Sequence, residues 1–230
     1  MSNKYFIIFG TLMALLAAVS SDESSSESDE SPTLIAQDPV LAACQSKAVS
    51  QTEAVNKCIG DLFSEESMNE TRRLHSDTKC VKCRNMCRRR DEINHCIEAA
   101  AEEAMLLSNR SKIMVPILMQ FTREGLTSFC EIESTLSSVF GDQESSACFQ
   151  KKRRACISFL NFIDDADEAA FCDSSNPKYS AIDAGVLCRG FHGFLECTER
   201  GAESCSSDVQ RAVTSLVSQF RNLPTCSEFV

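Results

Sequence analysis

Fourteen cysteines lie downstream of an N-terminal apolar leader, and none lies within it. Met1-Ser2-Asn3-Lys4 precedes a mostly apolar run from Tyr5 to Val19, which ends in Ser20-Ser21-Asp22. One lysine ahead of an apolar run too short to span a bilayer, closed by small residues, is the pattern of a secretory signal peptide over 1–20. Cleavage after Ser20 would leave Ala18 and Ser20 at the two specificity positions. In an exported chain an even cysteine count implies disulfides rather than thiol chemistry. Cys44, Cys58, Cys80, Cys83, Cys87, Cys96, Cys130, Cys148, Cys156, Cys172, Cys188, Cys197, Cys205 and Cys226 are therefore all expected in bridges, and the protein is expected to be secreted and extracellular.

The net charge is −10 over 230 residues, with five acidic side chains concentrated between Ser21 and Ser31. A chain this acidic has no electrostatic footprint for nucleic acid or an anionic membrane. No second apolar stretch reaches the length of a membrane span. The stretch 21–33 is serine-rich and acidic, with nothing to bury, so a disordered tail is expected there. Its Ser21-Asp22-Glu23, Ser25-Ser26-Glu27 and Ser28-Asp29-Glu30 triplets suit serine phosphorylation in the secretory pathway, although a solubilising role is the simpler reading. Two sequons, Asn69-Glu70-Thr71 and Asn109-Arg110-Ser111, mark Asn69 and Asn109 as glycosylation candidates.

From Leu34 onward the pattern is helical. Only Gly60 interrupts the interval between Gly10 and Gly125, and no proline falls between Pro39 and Pro116. The spacing of Val40, Cys44, Ala48, Val55, Cys58 and Leu62 predicts a first helix over 38–60. A second is expected over 69–90, with Cys80, Cys83 and Cys87 on one face, and a third over 92–107. Pro116 is expected to open an apolar helix. Further helices are expected over 131–140, 147–162, 181–199 and 207–220, the last capped by Ser207. The expectation is one all-α domain over 34–230, compact and stapled by disulfides.

Helical rise limits which cysteines can pair. Cys44 and Cys58 on one straight helix would lie about 21 Å apart, whereas a bridge needs Cα atoms within about 7 Å. Bridges must therefore join different helices. The separations Cys44 to Cys58 and Cys83 to Cys96 are nearly equal about a centre near Asn69. That symmetry suggests a helical hairpin with Asn69 at its exposed tip, pairing Cys44 with Cys96 and Cys58 with Cys83 or Cys80. Cys87 and the remaining member of Cys80 and Cys83 would then reach the C-terminal half.

Cys80-Val81-Lys82-Cys83-Arg84-Asn85-Met86-Cys87, with His75 and His95 nearby, has the spacing of a zinc site. It also contains a CxxC whose thiolate Arg84, Arg88, Arg89 and Arg90 would favour. In an oxidising compartment both readings yield to structural bridges. His75, His95 and His192 have no nucleophile context around them. Asp164-Asp165-Ala166-Asp167-Glu168 lacks the glycine and closing glutamate of a calcium loop and reads as a helix connection. Arg88-Arg89-Arg90 and Lys151-Lys152-Arg153-Arg154 read as solvated helix faces rather than glycosaminoglycan or processing sites. Met114, Val115, Ile117, Leu118, Met119, Phe121, Leu126 and Phe129 make one segment rich enough in flexible and aromatic side chains to line a cavity for a small hydrophobic ligand, or else to fill a core.

The C-terminal half carries a pattern of cysteines and neighbours. It runs through Leu126-Thr127-Ser128-Phe129-Cys130, Ala147-Cys148-Phe149-Gln150-Lys151-Lys152 and Cys156. It continues with Cys188, Leu195-Glu196-Cys197, Glu203-Ser204-Cys205 and Leu223-Pro224-Thr225-Cys226. This resembles the 27 kDa hemolymph glycoprotein family of insects over about Ile117 to Cys226, with Cys44 and Cys58 extending the match. The acidic tail and the crowding of Cys80, Cys83 and Cys87 depart from the family pattern. The resemblance implies a secreted, helical, disulfide-rich protein with no catalytic residues to carry over. The expected role is that of a non-enzymatic glycoprotein of extracellular fluid, without cofactor or metal, meeting an unknown extracellular protein. The alternative is a carrier of a small hydrophobic ligand.

Overall fold

A computed structural model describes residues 39–160, 171–173 and 182–229. The expected signal peptide at 1–20, the expected disordered tail at 21–33 and the Asp164 to Glu168 run lie outside the described residues. Among those described, helices are the only regular structure. They are α1 (Pro39–Leu62), α2 (Glu65–Leu74), α3 (Val81–Arg88), α4 (Arg90–Ala104) and α5 (Asn109–Glu131). There follow α6 (Glu133–Phe140), α7 (Gln143–Ala155), α8 (Ala184–Ala202) and α9 (Ser207–Arg221). Short 3₁₀ turns occupy Ile157–Leu160 and Pro224–Cys226.

The packing follows the apolar stripes. In α4, Ile93, Cys96, Ile97, Ala101 and Ala104 recur at helical spacing and are buried, and this face meets α1 on one side and α5 on the other. The longest stripe belongs to α5, from Met114 through Phe129. It touches α3, α4, α9 and the closing 3₁₀ turn, so it joins the N-terminal and C-terminal helices into one domain. In α9, Val209, Ala212, Val213, Leu216, Val217 and Phe220 form the buried stripe that its sequence spacing predicts. Its N-cap is Ser206 rather than Ser207, because the Ser206 side chain accepts the Val209 N–H.

Seven bridges consume all fourteen cysteines. They are Cys44–Cys172, Cys58–Cys96, Cys80–Cys83, Cys87–Cys130, Cys148–Cys205, Cys156–Cys197 and Cys188–Cys226. Cys87 does reach the C-terminal half, at the end of α5. The expected Cys44–Cys96 pair is absent, because Cys96 is taken by Cys58. Neither Cys80 nor Cys83 pairs with Cys58 or reaches the C-terminal half, since they close on each other.

Rise arithmetic explains the correction. From Cys96, α4 has only about 12 Å to run to Ala104 and less in the other direction, while Cys44 lies about 21 Å along α1 from Cys58. α1 outreaches its neighbour, and Cys44 meets Cys172 in the segment 171–173 instead. That segment is anchored a second time, because the Asp173 carboxylate accepts the Asn109 and Arg110 backbone N–H groups at the start of α5, at 3.2 and 3.0 Å.

Helix boundaries also differ from expectation: the helix expected over 147–162 runs Gln143–Ala155, and that expected over 181–199 runs Ala184–Ala202. The helix expected over 69–90 is broken between Leu74 and Val81, where His75-Ser76-Asp77-Thr78 forms a turn closed by Thr78 N–H on His75 O at 3.2 Å. Pro116 does not open α5 but sits inside it, two turns from the start. The N-terminus is set instead by a capping box, in which Ser108 Oγ accepts the Ser111 N–H and Ser111 Oγ accepts the Ser108 N–H. Pro116 forfeits one intrahelical bond but stands on the exposed face, where water can satisfy the orphaned Lys112 carbonyl.

Replacing both Cys44 and Cys172 by alanine is expected to lower the unfolding free energy by about 4 kcal/mol, because the bridge closes a long loop. Urea unfolding without reductant, with the helical signal retained at room temperature before denaturant, is the measurement.

Candidate functional site

The segment from Ser67 to Arg90 gathers the sequence features with most chemical content: one sequon, the CxxC and the triple arginine. It folds as the α2–α3 pair and is held by a buried polar network. Asn85 is fully buried and donates through Nδ2 to Leu62 O at 2.9 Å, tying α3 to the end of α1. Its Oδ1 accepts from Ser67 Oγ at 3.0 Å and Thr71 Oγ1 at 2.8 Å, tying α3 to α2. Arg88 Nε donates back to Thr71 Oγ1 at 3.2 Å. Three elements thus share one amide, and breaking the long expected helix is what lets α2 and α3 face each other across it.

The arginines are engaged rather than free. Arg88 pairs with Glu70 at 2.7 Å, Arg89 with Glu70 at 3.6 Å and Glu92 at 2.9 Å, and Arg90 with Asp91 at 3.4 Å. The Arg88 guanidinium hydrogen-bonded to Glu70 holds that carboxyl below the usual glutamate range. Arg84 pairs at 3.2 Å with Glu133, a buried carboxylate of α6 that also accepts from Ser137 Oγ at 2.6 Å.

The cysteines here do not form a metal site. Cys80 and Cys83 are bonded to each other, and Cys87 is bonded to Cys130. Among the described residues no group of three or more His, Cys, Asp and Glu side chains is placed to hold a metal ion. His75 ends α2 through its backbone, His95 is exposed, and His192 lies 3.5 Å from Glu196 one turn away on α8.

Both sequon asparagines are exposed, with Asn69 mid-helix on α2 rather than at a hairpin tip, and Asn109 as the first residue of α5. Their companion hydroxyls are not exposed. Thr71 and Ser111 have no accessible surface, and both are spent in the network and the capping box. A glycan therefore has room on the folded protein, but its attachment would have to precede folding, while Thr71 and Ser111 are still accessible.

The segment rich in methionine and phenylalanine fills the core. Met114, Val115, Leu118, Phe121, Leu126 and Phe129 are buried, with Ile117 and Met119 packed at its edge. Phe191 of α8 is the hub of an aromatic cluster, with ring centroids 4.9 Å from Phe121, 5.4 Å from Phe220 and 6.3 Å from Phe194. The enclosed cavity beside this cluster, lined by Phe149, Phe194, Leu216 and Arg153, holds about 20 Å³, room for about one water molecule. Arg153 folds against this apolar wall instead of pointing into solvent with Lys151 and Arg154, and burial lowers its pKa. An open polar groove of about 530 Å³ runs along Ser138, Asp142, Asp208, Lys79 and the Cys148–Cys205 bridge. No described helix is long and apolar enough to cross a membrane.

Asn85→Ala would leave Leu62 O and the buried Ser67 hydroxyl without their partner, while the Thr71 hydroxyl keeps its bond to Ser67 O, so it is expected to cost about 3 kcal/mol by urea unfolding. Glu70 has a depressed carboxyl pKa, so its contribution is full above the ordinary glutamate range and is lost as pH falls through the depressed value. The gap in melting temperature between wild type and Glu70→Gln is therefore expected at neutral pH and expected to close on acidification.

Comparison with protein-family models, curated proteins and solved structures finds no match for this chain.

Proposed function

We propose that the chain is a secreted, non-enzymatic glycoprotein of extracellular fluid that acts through its surface on another extracellular protein, a role of the hemolymph type that its C-terminal cysteine pattern resembles. The observation that carries this reading is the complete pairing of fourteen cysteines, six of the seven bridges joining segments at least 38 residues apart. Such a bridge set forms and persists in an oxidising compartment, which agrees with the leader and with two sequons whose asparagines face solvent. The aromatic cavity favours a surface role over the carrier alternative. At about 20 Å³ it is far below the few hundred Å³ that a small hydrophobic ligand occupies.

Expression of residues 1–230 in a cell line with a eukaryotic secretory pathway tests the proposal. Protein in the medium should begin at Ser21, lose mass on treatment with an N-glycosidase, and show no bound lipid by native mass spectrometry. Retention inside the cell with Met1 intact would overturn secretion, and a stoichiometric lipid adduct would transfer the reading to the carrier.

A further inference from the structure

Six bridges do the structural work of joining distant segments, and the seventh does not. Cys80 and Cys83 are three residues apart, with Cα atoms 5.3 Å from each other, and their bond links α3 to nothing but its own first turn. Closing so short a loop removes little chain entropy from the unfolded state. Opening it would leave the Asn85 network, the Arg84–Glu133 pair and the Cys87–Cys130 bridge in place around α3.

The two sulfurs are not equivalent. Cys80 is the N-cap of α3, and its Sγ accepts the Cys83 backbone N–H at 3.2 Å. A thiolate left there would keep that hydrogen bond and gain the positive end of the helix. Cys80 retains a sliver of accessible surface, 7%, while Cys83 has none. Lys79 and Lys82 flank Cys80 in sequence, and Lys79 lines the open groove beside the Cys148–Cys205 bridge. Gly141 keeps this backbone close to the α6–α7 turn, since a Cβ there would fall 2.4 Å from Lys79 Cβ.

We propose that Cys80–Cys83 is a thiol–disulfide exchange site that accepts electrons from a dithiol, with Cys80 as the exchanging sulfur and Cys83 as the resolving one. One thiolate of the dithiol attacks Cys80 Sγ, the Cys80–Cys83 bond breaks, and Cys83 leaves with the electron pair and takes a proton. The second thiolate of the dithiol then attacks its own sulfur in the mixed disulfide and releases Cys80 as a thiolate held by the Cys83 N–H. The dithiol becomes a disulfide, giving up two electrons and two protons. This step goes beyond the surface role proposed above and is independent of it, because the six long-range bridges stand whether or not this one opens.

Graded reduction of the intact protein with dithiothreitol, followed by alkylation and peptide mapping, tests the exchange. Cys80 and Cys83 should open at a dithiol concentration at least tenfold below that of any other bridge, with the far-ultraviolet helical signal unchanged. Opening together with the other bridges, or only as helix is lost, would overturn the proposal. Equilibration of the unsubstituted protein with mixed reduced and oxidised glutathione, quenched by acid, adds a second readout. The glutathione adduct should map to Cys80, and an adduct on Cys83 instead, or none on either, would equally overturn it. Cys80→Ser/Cys83→Ser should retain the helical signal and lose the low-dithiol step.

Discussion

A disulfide holds two Cα atoms within about 6 Å, whereas an α-helix carries its residues apart by about 1.5 Å per position. Cysteines eight or more positions apart on one helix cannot meet, so their bridges must cross from one element to another. That mismatch between the reach of a bridge and the rise of a helix organises the molecule. α1 is fixed at two points because its two cysteines cannot meet, one to α4 through Cys96 and one to the 171–173 segment through Cys172. α8 is fixed at Cys188 and Cys197, to the closing turn and to the end of α7. In the Cys80, Cys83 and Cys87 cluster, where spacing permits local closure, Cys80 closes on Cys83 and Cys87 crosses to Cys130.

The bridges hold a core that helical stripes already specify. α5 runs through the centre with buried residues from Met114 to Phe129, and Phe191 gathers rings from α5, α8 and α9 around it. Where the chain turns sharply between α2 and α3, buried polar groups take over the role of apolar contacts. Asn85 satisfies a carbonyl of α1 and two hydroxyls of α2 at once. A network of this kind stabilises only when complete, since each orphaned member would cost about 1–3 kcal/mol. The acidic and basic side chains around it, Glu70 with Arg88 and Arg89, close its solvent edge.

Much of this was legible in the residues, and the failures have physical causes. The all-helical class, the single domain, the full use of cysteines and the stripe of α9 follow from periodicity and cysteine count alone. The Cys44–Cys96 pairing failed because equal spacing about a centre presumes one turn at that centre. Asn69 instead lies mid-helix, and the chain reverses further on, at His75-Ser76-Asp77-Thr78. That cluster of small polar residues was the available signal for the turn. Pro116 misled because proline is favoured at helix starts, yet Ser108 and Ser111 form a stronger start two turns earlier. The rise arithmetic that forbids Cys44–Cys58 permits a bridge across three residues, and the CxxC spacing pointed to that local pair.

The function proposed for the chain depends on this bridge network being the one the native protein carries. Proteolysis of the native protein without reductant, followed by mass spectrometry of the linked peptides, reads it directly. Peptides joining Cys58 to Cys96 and Cys44 to Cys172, with Cys80 and Cys83 linked only to each other, are expected. A peptide joining Cys44 to Cys96, or free thiols at the long-range positions, would contradict the account.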